Sequence, residues 1–353
     1  MNVSVSKTLR TPGDLAAAGL ISRADENALD AVAARYDIAV PPALIELMRS
    51  SPHAARIARQ FVPSADELHT APEERGDPIG DESHSPVKGI VHRYPDRVLL
   101  MPTLVCPVYC RFCFRREAVG ASGGTLTTEE MRAALDYIRR TPSIWEVILT
   151  GGDPLILSAR RVGEIISALD AMAHVRTIRV HTRMPIATPE RVSDDLVGAF
   201  KRTSKSVYVA IHCNHAAELT PQVEHACGRL ADAGIPLLSQ TVLLKGVNDS
   251  VATLETLIRK LVTLRIKPYY LHQHDLAAGT GHFRVPLETG QALVRALRGR
   301  VSGLAQPTFM LDIPGGAGKV PLTPAYTAMS DNGQLSVEDV DGHTHAYTPP
   351  NST

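Results

Sequence analysis

Three of the chain's five cysteines lie close together, at the spacing Cys-x3-Cys-x2-Cys. Cys106, Cys110 and Cys113 follow residues 98–105, a short apolar run with the length and bounds of a buried strand. We therefore expect the cysteines on the loop that leaves the carboxyl end of this strand, the edge where α/β folds usually place their chemistry. Three thiolates on one loop can bind three irons of a four-iron cluster and leave the fourth iron open to a ligand.

The alternatives for these cysteines are a zinc site or plain structural thiols. A structural zinc site needs four ligands, usually from paired Cys-x2-Cys units, and the sequence offers no fourth ligand at such spacing. The remaining Cys213 and Cys227 are expected to be ordinary buried thiols. This cysteine usage does not indicate a disulfide framework, so we expect a cytoplasmic protein.

The composition sets broad limits on function. A chain of 353 residues, 44% of them apolar, can form two average domains or one large α/β domain with an extension. Because 37 Lys and Arg residues balance 37 Asp and Glu residues, no basic field favours nucleic acid as a partner. The apolar runs are too short to span a bilayer, and residues 1–7 lack the charge and apolar pattern of a secretion signal, so we expect no membrane association.

Strand-like and helix-like stretches alternate from residue 98 onward. The predicted strands are 98–105, 146–150, 176–182, 206–212, 236–243, 267–272 and 307–312. The predicted helices are 128–140, 159–172, 193–201, 221–233, 251–263 and 287–299. This alternation predicts an α/β fold with a parallel sheet and helices outside it. Six units before a last strand predict an incomplete TIM-like (β/α)6 barrel rather than the full eightfold one.

Extensions flank this core on both sides. Residues 8–62 have helix-entry prolines and are predicted to be helical, whereas 63–90 are polar and predicted to be a long surface connection, either a linker or a lid. We therefore place an N-terminal helical region with its linker at 1–90, the barrel core at 91–300 and a C-terminal extension at 301–353. The sequence Asp331-Asn332-Gly333 predicts a hairpin in that extension.

Polar and glycine-rich groups follow the carboxyl ends of the predicted strands. They include Gly151, Gly152, Asp153, Arg183, His212, Gln240, Asp275, Asp312 and the run Gly315-Gly316-Ala317-Gly318-Lys319. On a parallel barrel these ends face one mouth, so we expect the groups to meet there. A glycine-rich loop that ends in lysine is either a flexible loop with a solvated amine or a site where backbone amides face a phosphate and the amine forms a Schiff base.

The cysteine spacing, with Phe112 before the last cysteine, resembles the radical SAM signature. Eight segments across nearly the whole chain resemble the lysine 2,3-aminomutase family. They are His92–Arg97, Cys106–Arg116, Gly151–Pro154, Arg183–Arg191, His212–His215, Gln240–Asn248, Asp275–Pro286 and Asp312–Pro321. The resemblance implies a radical SAM isomerase that uses a 4Fe–4S cluster, S-adenosyl-L-methionine (SAM) and pyridoxal 5′-phosphate (PLP). It implies transfer of the α-amino group of L-lysine to C3, which gives β-lysine.

The resemblance also implies a role for each matching residue that faces a cofactor. Cys106, Cys110 and Cys113 would bind the cluster, and Lys319 would hold PLP as a Schiff base and be released from it during catalysis. The PLP phosphate and ring would be contacted by Arg93, Tyr94 and Arg97. The expected SAM contacts are Gly151, Gly152, Asp153, Arg183, His212 and Gln240.

The substrate assignment depends on three further residues. By resemblance, Arg115 would bind the substrate carboxylate, and Asp275 with Asp312 would bind the ε-ammonium of lysine. Two carboxylates in a closed site favour a distal cation and reject glutamate by charge repulsion. The alternatives are an aminomutase for another amino acid, an enzyme that supplies β-lysine for elongation factor P, and an inactive member that only holds a cluster or zinc.

The resemblance also implies partners, and the chain differs from the family at two points. The resemblance implies an external one-electron reductant of the flavodoxin or ferredoxin type and a homo-oligomer. The chain departs from the family in having Ala317 where clostridial-type enzymes have glycine, which requires a negative φ at that residue. It also lacks the C-terminal cysteines that bind a structural zinc in some members.

Overall fold

The centre of the molecule is a nine-stranded sheet in which the strands lie side by side in chain order. The computed structural model describes residues 7–120, 123–329 and 334–348. The strands are β1 Ile90–Tyr94, β2 Arg97–Thr103, β3 Glu146–Gly151, β4 Thr177–Thr182, β5 Ser206–His212, β6 Leu237–Val242, β7 Ile266–His272, β8 Thr308–Ile313 and β9 Gly318–Pro321. Strands β2 to β8 are parallel, and β1 and β9 are antiparallel additions at the two edges. This confirms the predicted incomplete barrel.

Helices cover the outside of the sheet and form the N-terminal region. The N-terminal helices are α1 Pro12–Ala17, α2 Arg23–Arg35, α3 Pro42–Ser50 and α4 Ala54–Phe61. The barrel helices are α5 Thr128–Arg139, α6 Ala159–Asp170, α7 Met184–Ala187, α8 Asp194–Phe200, α9 Pro221–Asp232, α10 Val251–Thr263 and α11 Leu287–Leu297. Five of these barrel helices begin after a Ser or Thr whose hydroxyl accepts a backbone N–H of the first turn, and these residues are Thr127, Ser158, Ser193, Thr220 and Ser250. None of the described helices is both long and apolar enough to span a bilayer.

Alternation along the strands separates a core face from a cavity face. Val98, Leu100 and Val147 are buried in the apolar core beneath the helices. Their neighbours Leu99 and Ile148 point the opposite way and line the barrel interior. Because the carboxyl ends of β2 to β8 share one edge, the loops that follow these strands meet around one opening.

The structure adds elements that the sequence did not predict. Strands β1 and β9 were missed, and the strand predicted at 98–105 ends at Thr103. A small separate sheet follows, formed by β10 Thr327–Met329, β11 Leu335–Glu338 and β12 Thr344–Tyr347. The predicted turn Asp331–Gly333 lies outside the described residues, but the strands on either side of it, β10 and β11, pair antiparallel.

The segment 63–90 is not only a surface connection, because part of it is buried against the cysteine loop. The Glu67 carboxylate is fully buried and accepts hydrogen bonds from the guanidinium groups of Arg111 and Arg116, which lie on the two sides of Cys113. Burial alone would raise the pKa of Glu67, but the charges of the two arginines lower it. The segment thus clamps the loop that carries the cysteines.

We predict that Glu67→Ala lowers the free energy of unfolding by ~3–5 kcal/mol, because it leaves two buried guanidinium groups without their carboxylate. The matched control is Glu73→Ala, which removes the half-exposed ion-pair partner of Arg284. That change should cost less than ~1 kcal/mol. Chemical denaturation measures both, and equal losses in the two variants would contradict the clamp.

Candidate active site

One cavity of about 520 Å³ opens at the carboxyl ends of the strands. All sixteen site residues predicted from the sequence line it: Arg93, Tyr94, Arg97, Cys106, Cys110, Cys113, Arg115, Gly151, Gly152, Asp153, Arg183, His212, Gln240, Asp275, Asp312 and Lys319. Their positions in the chain span more than 220 residues, from 93 to 319. The parallel order of the strands is what brings them together.

The three clustered cysteines are free thiols on one wall of this cavity. Burial raises the pKa of all three, that of Cys113 to about 11, so the thiols stay protonated unless a cation stabilises the thiolates. Among the described residues, only Asp339, Asp341 and His343 bring three ligand atoms within 4.8 Å of one another. The number of cysteines and their position on one loop fit the predicted multi-iron cluster, whereas a structural zinc site needs four ligands.

The cysteine loop is anchored through its backbone to the N-terminal helical region. The Tyr109 N–H donates to the Ala39 carbonyl across 3.1 Å, and the Arg111 N–H donates to the Gln60 carbonyl across 2.8 Å. The Cys113 N–H turns back to the Cys110 carbonyl. These contacts determine where the sulfurs lie relative to the barrel.

The glycine segment after β3 packs directly on the strand that leads to the cysteines. Gly151 has φ +114°, and a Cβ on Gly152 would lie 2.3 Å from the Val105 carbonyl oxygen. Glycine is thus required here by the neighbouring backbone. The Asp153 carboxylate, predicted to contact SAM, is buried and accepts hydrogen bonds from the Thr182 hydroxyl and the Arg183 N–H, so it joins the ends of β3 and β4. Burial raises its pKa.

Three further residues of the predicted SAM group line the same wall. Arg183 Nη1 donates to Cys110 Sγ across 3.1 Å, while its buried Nε–H has no acceptor among the described residues. His212 Nε2 is likewise buried and without a described partner. Burial lowers the pKa of His212 well below its usual value, so its ring is neutral at neutral pH. Gln240 Nε2 lies 3.5 Å from the His181 ring. The unpaired N–H of Arg183 and ring nitrogen of His212 are suited to a polar ligand.

The glycine-rich loop before Lys319 is the turn of an antiparallel hairpin formed by β8 and β9. Gly315, Gly316 and Gly318 have positive φ, whereas Ala317 does not, so alanine is compatible with the turn. The backbone N–H of Lys319 donates to the Tyr94 hydroxyl across 2.9 Å. Since Tyr94 belongs to β1, this contact joins the two edges of the sheet.

Two carboxylates meet at the end of β8. The Lys319 ammonium forms an ion pair with Asp312, and His272 Nδ1 lies 3.6 Å from the same oxygen. Burial would raise the pKa of Asp312, but these neighbours lower it. Burial, followed by the negative charge of Asp312, raises the pKa of Asp275 to about 7. One oxygen of each aspartate is buried with no described hydrogen-bond partner, so the pair can accept hydrogen bonds from a ligand cation.

A carboxylate that the sequence analysis missed lies between two predicted anion-binding arginines. Asp81 accepts from Arg93 Nη2 across 3.1 Å and from Arg115 Nε across 2.7 Å. It lies within the segment 63–90, which carries no motif, and its two partners follow it by 12 and 34 residues. The hydrogen bond to Asp81 uses the Nε of Arg115 and not its two terminal amino groups. Arg97 lies apart from this group, pairs with Asp96, and has its guanidinium 3.7 Å from the Tyr94 ring centroid.

Two family models and several individual proteins are similar to this chain in sequence. The family model of the radical SAM superfamily matches residues 100–258, and that of lysine-2,3-aminomutase matches residues 294–353. The L-lysine 2,3-aminomutase of Fusobacterium nucleatum is 39% identical over 89% of this chain and 73% of its own length. That of Bacillus subtilis is 35% identical over 98% of this chain and 73% of its own. A glutamate 2,3-aminomutase of Clostridioides difficile is 34% identical over 87% of this chain and 72% of its own.

The two family models match regions on either side of the site, the cysteine loop with its barrel and the C-terminal part of the chain. The relatives extend the likeness through most of the remaining residues. By both comparisons, this chain belongs to the lysine 2,3-aminomutase family of the radical SAM superfamily.

Proposed function

We propose that this chain is a PLP-dependent 2,3-aminomutase that converts free L-lysine to β-lysine. As a radical SAM protein of an aminomutase family, it is an isomerase that uses a 4Fe–4S cluster and SAM. The observation that carries the substrate proposal is the pair Asp275 and Asp312, each with a buried oxygen lacking a described partner, in the same cavity as the cysteines. A glutamate side chain would place a third carboxylate there, which charge repulsion disfavours.

The chain's own residues account for binding at both ends of lysine. Arg115 is held through its Nε by Asp81, and its terminal amino groups can bind a carboxylate in fork geometry. At the other end the two aspartates accept the ε-ammonium. Binding the substrate at both ends fixes its carbon chain relative to the cysteine loop. This placement is the protein's main contribution to the reaction.

Lys319 and Asp312 form the second functional pair. The Lys319 ammonium forms an ion pair with Asp312, and the backbone N–H of Lys319 donates to the Tyr94 hydroxyl. Lys319 would hold PLP as a Schiff base, and Asp312, its partner in the structure, could then pair with the substrate ε-ammonium instead. When bound, the cluster with SAM supplies the carbon radical that removes a hydrogen atom, and PLP supplies the carbon that carries the migrating nitrogen.

Other parts of the proposal concern partners. An external one-electron donor of the flavodoxin or ferredoxin type and assembly into a homo-oligomer remain predictions, as do the region boundaries at residues 90 and 300.

Two substrate alternatives also stay open, namely another amino acid and a role in supplying β-lysine for elongation factor P. The glutamate 2,3-aminomutase among the relatives makes substrate identity the first question to test.

The deciding experiment is anaerobic incubation of the reconstituted protein with PLP, SAM, dithionite and either L-lysine or L-glutamate. We expect β-lysine from L-lysine and no β-glutamate. Conversion of L-glutamate but not L-lysine would overturn the substrate assignment. Absence of both products, with cluster and PLP bound, would overturn the proposed function.

For the cluster, we predict that Cys110→Ala abolishes the iron–sulfur absorbance of the anaerobically reconstituted protein. The reason is that the cluster needs three cysteine ligands from this loop and the variant has only two. Cys227→Ala is the matched control, since Cys227 is buried in the apolar core. It should keep the absorbance and the iron content of the unaltered chain. A full complement of iron in Cys110→Ala would show that this cysteine is not a ligand.

For PLP, we predict that borohydride reduction of the PLP-loaded protein attaches the pyridoxyl group to Lys319, which peptide mass spectrometry identifies. The exposed Lys245 serves as an internal control for nonspecific labelling. Lys319→Arg should leave no stoichiometric label. A stoichiometric label on another lysine would remove the role assigned to Lys319.

For substrate binding, we predict a pH dependence that originates in Asp275. Its carboxyl pKa is raised to about 7, and only the ionised form attracts an ammonium, so KM for L-lysine should rise as the pH falls below about 7. Because a single proton is involved, KM should rise by at most about tenfold for each pH unit. His272 and His274 have lowered pKa values, which keeps both rings neutral over pH 7–8.

Asp275→Asn should raise KM at pH 8 and flatten its pH profile, while PLP loading, read from absorbance, stays unchanged. The control is Asp136→Asn on the exposed face of α5, which should keep the unaltered profile. An equal loss of PLP loading and lysine binding in Asp275→Asn would mean that Asp275 does not contact the substrate.

A further inference from the structure

A buried guanidinium lies against one of the three cysteine sulfurs. Arg183 is the first residue after β4, and its side chain is 6% exposed. Its Nη1 donates to Cys110 Sγ across 3.1 Å. Hydrogen bonds to the sulfurs of an iron–sulfur cluster are among the main protein influences on its reduction potential. Arg183 is therefore placed to act on the cluster through a ligand, in addition to any contact that its Nε–H makes.

Two buried side chains from distant parts of the chain hold this guanidinium. Arg183 Nη2 donates to Gln60 Oε1 across 2.8 Å and to the carboxylate of Glu218. Gln60 lies on α4 and donates through Nε2 to the same carboxylate. Glu218 also accepts the backbone N–H groups of Asn214 and His215. Because each holding group is itself anchored, the guanidinium cannot easily rotate away from the sulfur.

Aromatic rings enclose the same guanidinium. Its central carbon lies 4.6 Å from the Phe61 ring centroid and 5.4 Å from that of Phe112. Phe112 belongs to the cysteine loop, and both rings are buried. The rings stabilise a cation and exclude water. Charge–charge interactions are stronger in such surroundings than in solvent.

We propose that Arg183, oriented by Gln60 and Glu218, raises the reduction potential of the cluster through a charge-assisted hydrogen bond to Cys110. The inference rests on the proposed function, in which Cys110 is a cluster ligand. Arg183 acts through that ligand, so it is a positioning residue. The family likeness assigned it only a contact with SAM.

The direction of the effect follows from charge. Reduction adds one electron, and hence one negative charge, to the cluster, and the external one-electron donor loses that electron. A fixed cation and an N–H donor at a ligand sulfur stabilise the more negative state more strongly. Gln60 holds the other amino group of the guanidinium without adding a charge. Removing Arg183 should therefore lower the potential, and removing the Gln60 side-chain amide should lower it by less.

The test is a redox titration of the anaerobically reconstituted full chain, with dithionite as reductant and cluster absorbance as readout. Arg183→Gln should lower the midpoint potential by an amount equal to about tenfold or more in the one-electron equilibrium constant, ~59 mV per tenfold. Arg183→Lys keeps the charge but cannot contact the sulfur and both holding groups together. It should show a smaller fall.

Arg179→Gln is the matched control. Arg179 lies within β4, is partly buried, pairs with Glu146 across 3.1 Å, and has no described contact with a cysteine. Its loss should shift the potential by less than a third of the shift in Arg183→Gln. Iron and sulfide content should equal that of the unaltered chain in both variants, which separates tuning from damage to the fold.

An Arg183→Gln protein that keeps its cluster and its original potential would overturn the inference. If that variant loses the cluster, Gln60→Leu decides, because it retains both charges and removes one group that holds Arg183 against the sulfur. A lower potential in Gln60→Leu supports the inference, and an unchanged or higher one overturns it. Failure of the unaltered chain to bind iron would overturn the cluster assignment and this inference with it. Iron analysis reveals that outcome before any potential is measured.

Discussion

The parallel direction of β2 to β8 is the constraint on which the rest of the structure depends. Seven strands that run the same way place all their carboxyl ends at one edge, so the loops that follow them face one opening. A residue at position 106 and one at position 319 can then line the same cavity. Alternation along each strand places one set of apolar side chains under the helices and turns the alternate residues, apolar and polar, toward the cavity. The site is a direct consequence of this geometry.

The N-terminal region belongs to the architecture of the site. Backbone contacts from Ala39 and Gln60 anchor the cysteine loop, and Glu67 clamps its arginines from a fully buried position. Further along the same segment, Asp81 orients Arg115. Buried ion pairs of this kind contribute little net stability over apolar packing, but they require defined partners in defined positions. We interpret them as the means by which the fold holds the cysteine loop and Arg115, the residue proposed to bind the substrate carboxylate, in fixed relation.

Sequence patterns anticipated the parts that depend on local spacing. The cysteine triplet, the glycine-rich turn before Lys319 and each single strand or helix of the β-α alternation lie within a short stretch of sequence. Their residue types are therefore informative without the fold. Gln60, Asp81 and Glu218 were missed because their partners are long-range; Gln60 and Arg183 are 123 residues apart. Strands β1 and β9 were missed because each is short and mixes polar with apolar residues, so neither forms a bounded apolar run. The glycines at the end of β3 were recognised, but their immediate reason, close contact with the backbone at and beyond the end of β2, required coordinates.

The central claim is that one cavity holds lysine at both ends while exposing its carbon chain to the cysteine wall. An anaerobic crystal structure of the protein with its cluster, PLP, SAM and L-lysine tests this most directly. We expect the ε-ammonium within hydrogen-bonding distance of Asp275 and Asp312, the carboxylate on the terminal amino groups of Arg115, and C3 facing the cysteine loop. A lysine bound with its ε-ammonium in solvent, or with its carboxylate away from Arg115, would contradict it.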